Sequence, residues 1–359
     1  MENNGVSMKK RVLLLIVFTM LALLSGCGKN KAEIALITDV GTIEDGSYNQ
    51  GAWEGIKKYG DEHEVGYAYY KPREAALDSY NEAIKKAVKK GAKVIVCPGY
   101  LPEEAVYYAQ NDYPKVDFIL LDGAVHNHDY TDFTIKANVM QISFAEEQAG
   151  FLAGYAAVRD GYTRLGFIGG EAEDAVIRFG YGFVQGADYA AIELGTQVDM
   201  KYTYAGTYYE SSAVNSMASE WYQTGTQVIF ACGGAMGRSV MKAAEALDCK
   251  VIGVDVDQSS ESPSVITSSL KNLSGAVYQG IDDYYNGSFK GGFTSNMTAQ
   301  NNGIGLVMDN AKFNLFTENE YRNILSLMSN NSIIPYSGTD IGTCDDIMLI
   351  NTSVTFIKQ

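Results

Sequence analysis

Short apolar runs of four or five residues, each followed by a longer amphipathic stretch, constrain this chain more than any other feature. Ile34-Ala35-Leu36-Ile37 precedes a helical pattern over 48–62, and residues 65–70 precede another over 79–90, with Ala83, Ala87 and Val88 on one side. Val94-Ile95-Val96-Cys97 leads to a helix over 103–112, and Phe118-Ile119-Leu120-Leu121 closes the first series. Buried parallel strands read in this way, because helices cover both faces of the sheet and leave no polar alternation. The pattern then restarts. Helices are expected over 143–158, 179–193, 211–224 and 238–247, and strands over 164–168, 199–204, 228–231 and 251–254. Two such series predict an α/β protein of two doubly wound lobes, each with a mostly parallel sheet flanked by helices. The pieces left over, a strand at 266–270, a helix at 274–286 and the stretch near 303–308, read as crossovers joining the lobes through a multi-strand hinge. Two tandem dinucleotide-binding-type domains would give a similar pattern.

The first thirty residues read as an address. Lys9, Lys10 and Arg11 precede an apolar run over 12–24, which is shorter than the roughly 20 residues a membrane helix needs. Leu24-Ser25-Gly26-Cys27 follows, and small residues before a cysteine resemble a bacterial lipobox. The expectation is a signal peptide over 1–26, a lipid-modified Cys27 carrying acyl chains such as palmitate, and a tether over 27–31. That places the protein on the extracytoplasmic face of the cell membrane. An ordinary signal peptide or an uncleaved anchor are the alternatives. The remaining cysteines show no metal spacing, and Cys97, Cys232 and Cys249 sit in or beside strand-like runs as small hydrophobes.

A net charge of −15 argues against nucleic acid as a partner, since an acidic surface repels phosphate backbones. Mean hydropathy of −0.10 leaves no room for a polytopic membrane protein. Enzyme motifs are scarce. No phosphate-cradling G-x-x-x-x-G-K-[ST] and no G-x-S-x-G elbow occurs. Gly180, Gly182 and Gly186 have the wrong spacing for a dinucleotide fingerprint and fall inside a helical stretch. His126, His128, Asp122 and Asp129 read as a polar loop rather than a metal set, and three histidines in all supply little acid–base catalysis. No metal and no cofactor are expected. Asp255-Val256-Asp257 at a strand end reads either as a metal-holding pair or as one carboxylate aimed into a cleft, its partner capping a turn.

Four segments in order carry a family resemblance. They are Thr38-Asp39-Val40-Gly41 with Asp45-Gly46-Ser47-Tyr48-Asn49-Gln50; Gln148-Ala149-Gly150-Phe151-Leu152-Ala153-Gly154; Gly166-Phe167-Ile168-Gly169-Gly170 with Phe179, Gly182, Phe183 and Gly186; and Ile252-Gly253-Val254-Asp255-Val256-Asp257-Gln258 with Ser268-Ser269-Leu270-Lys271. Together they resemble the basic membrane protein (PnrA-like) family of purine nucleoside-binding lipoproteins. The resemblance implies a type I periplasmic-binding-protein fold, with lobe 1 formed by 32–139 plus 258–303 and lobe 2 by 140–257 plus 304–359. It implies a substrate-binding protein of an ABC importer, with a permease and an ATPase as partners, and no enzymatic activity.

The expected ligand is a purine nucleoside such as guanosine, inosine or adenosine. Tyr48 stands where the family has a stacking phenylalanine, and Phe230 resembles its second stacking ring. Asp122 is expected to accept from base N–H groups and Asp255 from two ribose hydroxyls at once. Lys271 would donate to the sugar end and balance Asp255, while Asp39 and Asn49 complete a polar rim or merely tie a turn. Gly234 and Phe179 join the set from the second lobe. Another small solute, such as a sugar or a signalling molecule, is the rival within binding proteins, since fold does not fix function. A nucleoside-processing enzyme is the rival from another class.

Overall fold

The computed structural model describes residues 31–339, 344 and 347–358. The expected signal peptide, Cys27 and most of the tether lie outside the described residues.

The apolar runs become buried strands. β1 (Ile34–Ile37), β2 (Tyr67–Tyr70), β3 (Val94–Pro98), β4 (Asp117–Leu121), β5 (Val139–Phe144) and β11 (Phe293–Met297) form one sheet, in the order β11-β5-β4-β3-β1-β2. β6 (Arg164–Gly169), β7 (Val198–Tyr204), β8 (Val228–Cys232), β9 (Lys250–Asp255), β10 (Val265–Lys271), β12 (Ile304–Leu306) and β13 (Thr352–Phe356) form the other, in the order β12-β10-β9-β8-β6-β7-β13. Among the described residues every pairing is parallel except that of β10 with β12. The two lobes repeat one topology, since β2-β1-β3-β4-β5 and β7-β6-β8-β9-β10 have the same order. In such a sheet the strand order reverses beside the first strand, and the crevice beyond the carboxyl ends there is where ligands sit.

Alternate residues of each strand serve opposite faces. On β1, Ile34 and Leu36 pack into one core and Ala35 and Ile37 into another; on β8, Phe230 faces one core and Ile229 and Ala231 the other. The helices covering these faces are α1 (Tyr48–Glu62), α2 (Leu77–Lys90), α3 (Glu103–Asp112), α4 (Glu146–Arg159), α5 (Asp174–Leu194), α6 (Ser212–Gln223), α7 (Gly237–Leu247), α8 (Leu273–Tyr285) and α9 (Glu318–Ser329). The chain passes between sheets after β5, after β10 and after β11, which makes the hinge.

Sheet membership differs from the expected lobe limits at two strands. β5 belongs to the first sheet, where it pairs with β4 and β11, so the first lobe runs past residue 139. β10 pairs with β9 and β12 in the second sheet, although 258–303 was expected in lobe 1. The crossover therefore lies between β10 and α8, and Lys271 reaches the cleft from the second lobe.

α4 and α5 pack unusually closely. A Cβ on Gly182 would lie 2.0 Å from Glu147 O, on Gly186 2.0 Å from Phe151 O, on Gly150 2.1 Å from Phe179 O and on Gly154 2.0 Å from Phe183 O. Gly182 and Gly186, two of the three glycines that fail as a dinucleotide fingerprint, thus let two helix backbones meet. This contact fixes the start of α4 against α5, and both carry charged groups into the site.

Candidate functional site

The site is assembled from the carboxyl ends of the strands. The loop after β1 enters α1 through Asp45, whose Oδ1 accepts from Ser47 N (2.9 Å) and Gln50 N (3.1 Å) and whose Oδ2 accepts from Asn49 N (3.0 Å). These are the otherwise unpartnered N–H groups of a helix start, so Asp45 serves as its cap. Asn49 Nδ2 donates to Asp39 Oδ1 at 2.8 Å and to Asp45 Oδ2 at 2.9 Å, while Asp39 N donates back to Asn49 Oδ1 at 3.1 Å. Gly41 N also donates to Asp39 Oδ1. Asp39 and Asn49 thus tie the turn that presents Tyr48, and burial pushes the Asp39 carboxyl above its ordinary pKa.

Tyr48 OH donates toward Asp122 Oδ2 at 2.9 Å, with Leu121 O at 3.1 Å. The same Asp122 oxygen lies 2.7 Å from Lys271 Nζ, and Asp122 Oδ1 accepts from Phe144 N at 3.2 Å. Lys271 Nζ is also 2.7 Å from Glu146 Oε1, and Glu146 Oε2 accepts from Arg178 Nε at 2.6 Å. Around the ammonium lie the rings of Tyr48, Phe179 and Phe144, with centroids at 5.2, 5.3 and 5.5 Å. Their faces attract a cation. Burial opposes the charge on Lys271, yet Asp122, Glu146 and Asp255 outweigh it and raise its pKa above the ordinary lysine value. Burial raises the Glu146 carboxyl, against which Lys271 and Arg178 act.

Asp255, at the end of β9, accepts from Ser47 Oγ of the opposite lobe at 2.5 Å. It is buried, at 7% exposure, and this burial pushes its carboxyl upward. Asp257 points elsewhere and accepts from Ser259 N and Asn310 Nδ2, both at 2.9 Å. The D-x-D pair therefore splits into one cleft carboxylate and one turn residue. Asp122 and Asp255 both have left-handed backbones, with φ of 49° and 68°. That conformation is uncommon outside glycine, and here it turns each strand-end carboxylate toward the space between the lobes.

One expectation needs correction. Phe230 does not face the cleft: it is fully buried beneath α5, with ring centroids of Phe167, Phe179 and Phe183 at 5.5, 5.9 and 5.2 Å. It stands two residues before the end of a strand covered on both faces, too far inside the sheet to reach the cleft. Lys271 bonds to Asp122 and Glu146 and acts on Asp255 only through space. Asp122 is already engaged through both oxygens.

Phe179, buried at 2% exposure, packs on Phe230 with its ring near Lys271. Gly234 opens the turn after β8 with φ of 55°, beside Tyr208 O. Glu146 and Arg178 belong to none of the family-like segments, and Asp45 and Ser47 stand in the first of them with no role assigned. Glu146 carried one usable signal, a carboxylate opening an otherwise apolar, glycine-rich helix. Among the described residues no set of three or more histidine, cysteine or acidic side chains is placed to hold a metal. His126 Nε2 instead lies 3.3 Å from Glu103 Oε2, and His128 Nδ1 3.1 Å from Glu104 Oε1.

Charged, aromatic and strand-end groups thus converge between two lobes of like topology, and residues 32–338 match the family model for PnrA-like ABC transporter substrate-binding proteins. The chain belongs to this family. The chain is 30% identical over 340 residues to the ABC transporter nucleoside-binding protein BmpA of Lactococcus lactis subsp. cremoris, covering 85% of this chain and 93% of that protein. It is 28% identical over 338 residues to basic membrane protein A1 of Borrelia garinii subsp. bavariensis, covering 91% and 96%. The fold matches a solute-binding protein of an ABC transporter system from Aeropyrum pernix K1 with a TM-score of 0.75 at 21% identity, over 86% of this chain and 94% of that one. One from Conexibacter woesei gives 0.69 at 19%, over 85% and 99%. PnrA-like proteins work outside the cytoplasm with a permease, an ATPase and a small ligand. Among the described residues no helix is long and apolar enough to cross a membrane.

Proposed function

We propose that this chain is the lipid-anchored receptor of an ABC importer and closes its lobes around a purine nucleoside. The observation that carries the reading is the pairing of an aromatic face with strand-end carboxylates: Tyr48 beside Asp122, and Asp255 across the cleft from Ser47. A purine offers a π-face that stacks on an aromatic ring for about 1–3 kcal/mol. A ribose offers a vicinal diol that one carboxylate can accept at both oxygens. The name of the Lactococcus lactis relative supports the same ligand class. The receptor binds without breaking bonds.

Purified mature protein incubated with guanosine, inosine and adenosine tests this. Micromolar or tighter binding by calorimetry, with the nucleoside recovered intact, is the expected result. Release of free base would mean an enzyme, and retention of a sugar or another solute by mass spectrometry would mean a different ligand. Anchoring has its own test. Cys27→Ser should leave the fold intact and shift the protein from the membrane to the soluble fraction after fractionation; a variant that is processed yet stays in the membrane refutes the lipid anchor.

A further inference from the structure

On a chain with a net charge of −15, the amino ends of the first sheet collect lysines. Backbone bonds set a row across five neighbouring strands: Lys93 N donates to Glu33 O at 2.7 Å, Asp117 N to Lys93 O at 2.9 Å, Phe118 N to Asn138 O at 2.8 Å and Gly292 N to Val139 O at 2.9 Å. Lys93 stands in that row, and Lys31, Lys115, Lys136 and Lys290 each stand two residues ahead of it. Lys89 and Lys90 end α2 beside them, and all of these lysines are exposed. We propose that this end of the first lobe is a membrane-docking surface, on which Lys89, Lys90, Lys93, Lys115 and Lys136 meet anionic phospholipid headgroups. The inference rests on the lipid-anchor reading above and is independent of the ligand.

The anchor determines the occupant. Lys31 lies four residue steps from Cys27, and at roughly 3.3–3.6 Å per step the chain between them spans at most about 14 Å. Lys31 sits against Gly91, where an added Cβ would lie 3.4 Å from its side chain, so the chain enters the first lobe beside the end of α2. A lipid on Cys27 therefore brings this end of the molecule to within about one or two Debye lengths of the bilayer, where an anionic surface attracts each lysine. The carboxyl ends of the same strands, which form the cleft, then point away from the membrane.

Charge is also sorted by face. α2 and α3 cover one side of the sheet through Ala83, Ala87 and Ala109, and α1 and α8 cover the other through Ile56 and Val277. Asp61, Glu62, Asp282 and Asp283 belong to α1 and α8, where they accept from Lys57, Tyr278, Asn286 and Gln279 in turn. Among the lysines, Glu33 Oε2 is held by Lys93 Nζ at 2.7 Å and Asp117 is half-buried, which leaves Asp112 as the exposed carboxylate. Lys89, Lys90 and Lys115 make no ion pair among the described residues. The helix dipole favours lysines at the end of α2, but it gives no reason for Lys93, Lys115 and Lys136, which precede strands.

Amine footprinting of the lipidated full chain tests this, in vesicles of phosphatidylcholine alone and of phosphatidylcholine mixed equally with phosphatidylglycerol. Lysines acylated by a water-soluble succinimidyl ester are quantified by mass spectrometry. Labelling of Lys89, Lys90, Lys93, Lys115 and Lys136 should fall by about threefold or more when phosphatidylglycerol is present, and recover near 1 M salt, where the Debye length is about 3 Å. Lys242 and Lys312, exposed on the second lobe, should keep their rates. Combining Lys89→Gln, Lys90→Gln, Lys115→Gln and Lys136→Gln should return Lys93 to its phosphatidylcholine rate, with the melting temperature unchanged and the protein still floating with the lipid. Equal labelling in the two vesicle types, with the protein floating in both, overturns the inference and leaves the anchor standing. So does protection of Lys93 that survives the four substitutions. A wild-type chain that does not float with vesicles overturns the lipid anchor itself, and the inference falls with it.

Discussion

Three carboxylates, Asp122, Glu146 and Asp255, share a desolvated cleft with two cations, Lys271 and Arg178. Such a group holds together only where each charge has a partner, because an isolated buried ion costs several kcal/mol. Asp255 has the weakest set: one hydroxyl from Ser47 and the field of Lys271. It is therefore the carboxylate with spare acceptor capacity, and a ribose diol can use it. Asp255→Asn keeps an oxygen for Ser47 while removing the charge and one acceptor. The variant should stay folded and lose about tenfold or more in nucleoside affinity, since hydrogen bonds to charged groups contribute about 1.5–3 kcal/mol. Calorimetry with a 2′,3′-dideoxynucleoside isolates the cause: equal weakening of both ligands would show that Asp255 does not read the ribose. At this scale the sequence makes strand-end groups legible. Asp122 and Asp255 each follow or close an apolar run, and in open parallel sheets that is where ligands bind. Which way a side chain points is less legible. Phe230 sits two residues before the end of a strand whose two faces are both covered, and that depth places it in the core rather than the cleft. Glu146 and Arg178 have meaning only as a pair joined across two helices.

That pair depends on the contact between α4 and α5. Gly150 and Gly154 on one helix, and Gly182 and Gly186 on the other, place backbone against backbone. Glycine costs roughly 1 kcal/mol relative to alanine within a helix, so Gly182→Ala gains propensity. The added methyl would nevertheless meet Glu147 O at 2.0 Å, and overpacking of this kind typically costs about 1–3 kcal/mol. The expected result is a melting temperature lower by a few degrees, together with weaker ligand binding, because Glu147 adjoins Glu146 and a spread α5 draws Arg178 away from it. A melting temperature raised by the substitution would show that the helices separate without cost. The elements themselves were unevenly legible. Central strands announce themselves through apolar runs, whereas β11, Phe-Thr-Ser-Asn-Met, and β13, Thr-Ser-Val-Thr-Phe, are edge strands with little burial and no such run. β5 is hidden for another reason: Ala145 alone separates it from α4, so strand and helix read as one stretch from residue 143. α9 carries a capping box, with Thr317 accepting from Glu320 N and Glu320 accepting from Thr317 N, a local signal the apolar pattern alone does not show.

Across the whole molecule, contacts between the lobes concentrate on the loop that opens α1. Arg238 Nη2 donates to Glu44 O at 3.2 Å, Gln258 Nε2 to Gly46 O at 2.8 Å, Ser47 Oγ to Asp255, and Tyr209 OH to Val40 O at 3.3 Å. On the proposed reading the lobes part about the crossing segments, and opening would break these bonds. Gln258 is the informative member. Its side chain is buried at 3% exposure, its Oε1 accepts from Val254 N at 3.0 Å, and its amide spans the cleft without belonging to the aromatic and carboxylate cluster. Gln258→Ala removes a contact made after encounter, so association should be nearly unchanged. Dissociation should quicken by about threefold to tenfold, the kinetic equivalent of one hydrogen bond of roughly 0.5–1.5 kcal/mol. Stopped-flow measurement of nucleoside association and of displacement by excess competitor separates the two rates. A slower association with unchanged dissociation would mean that the Gly46 contact forms before the ligand arrives, and that closure precedes capture.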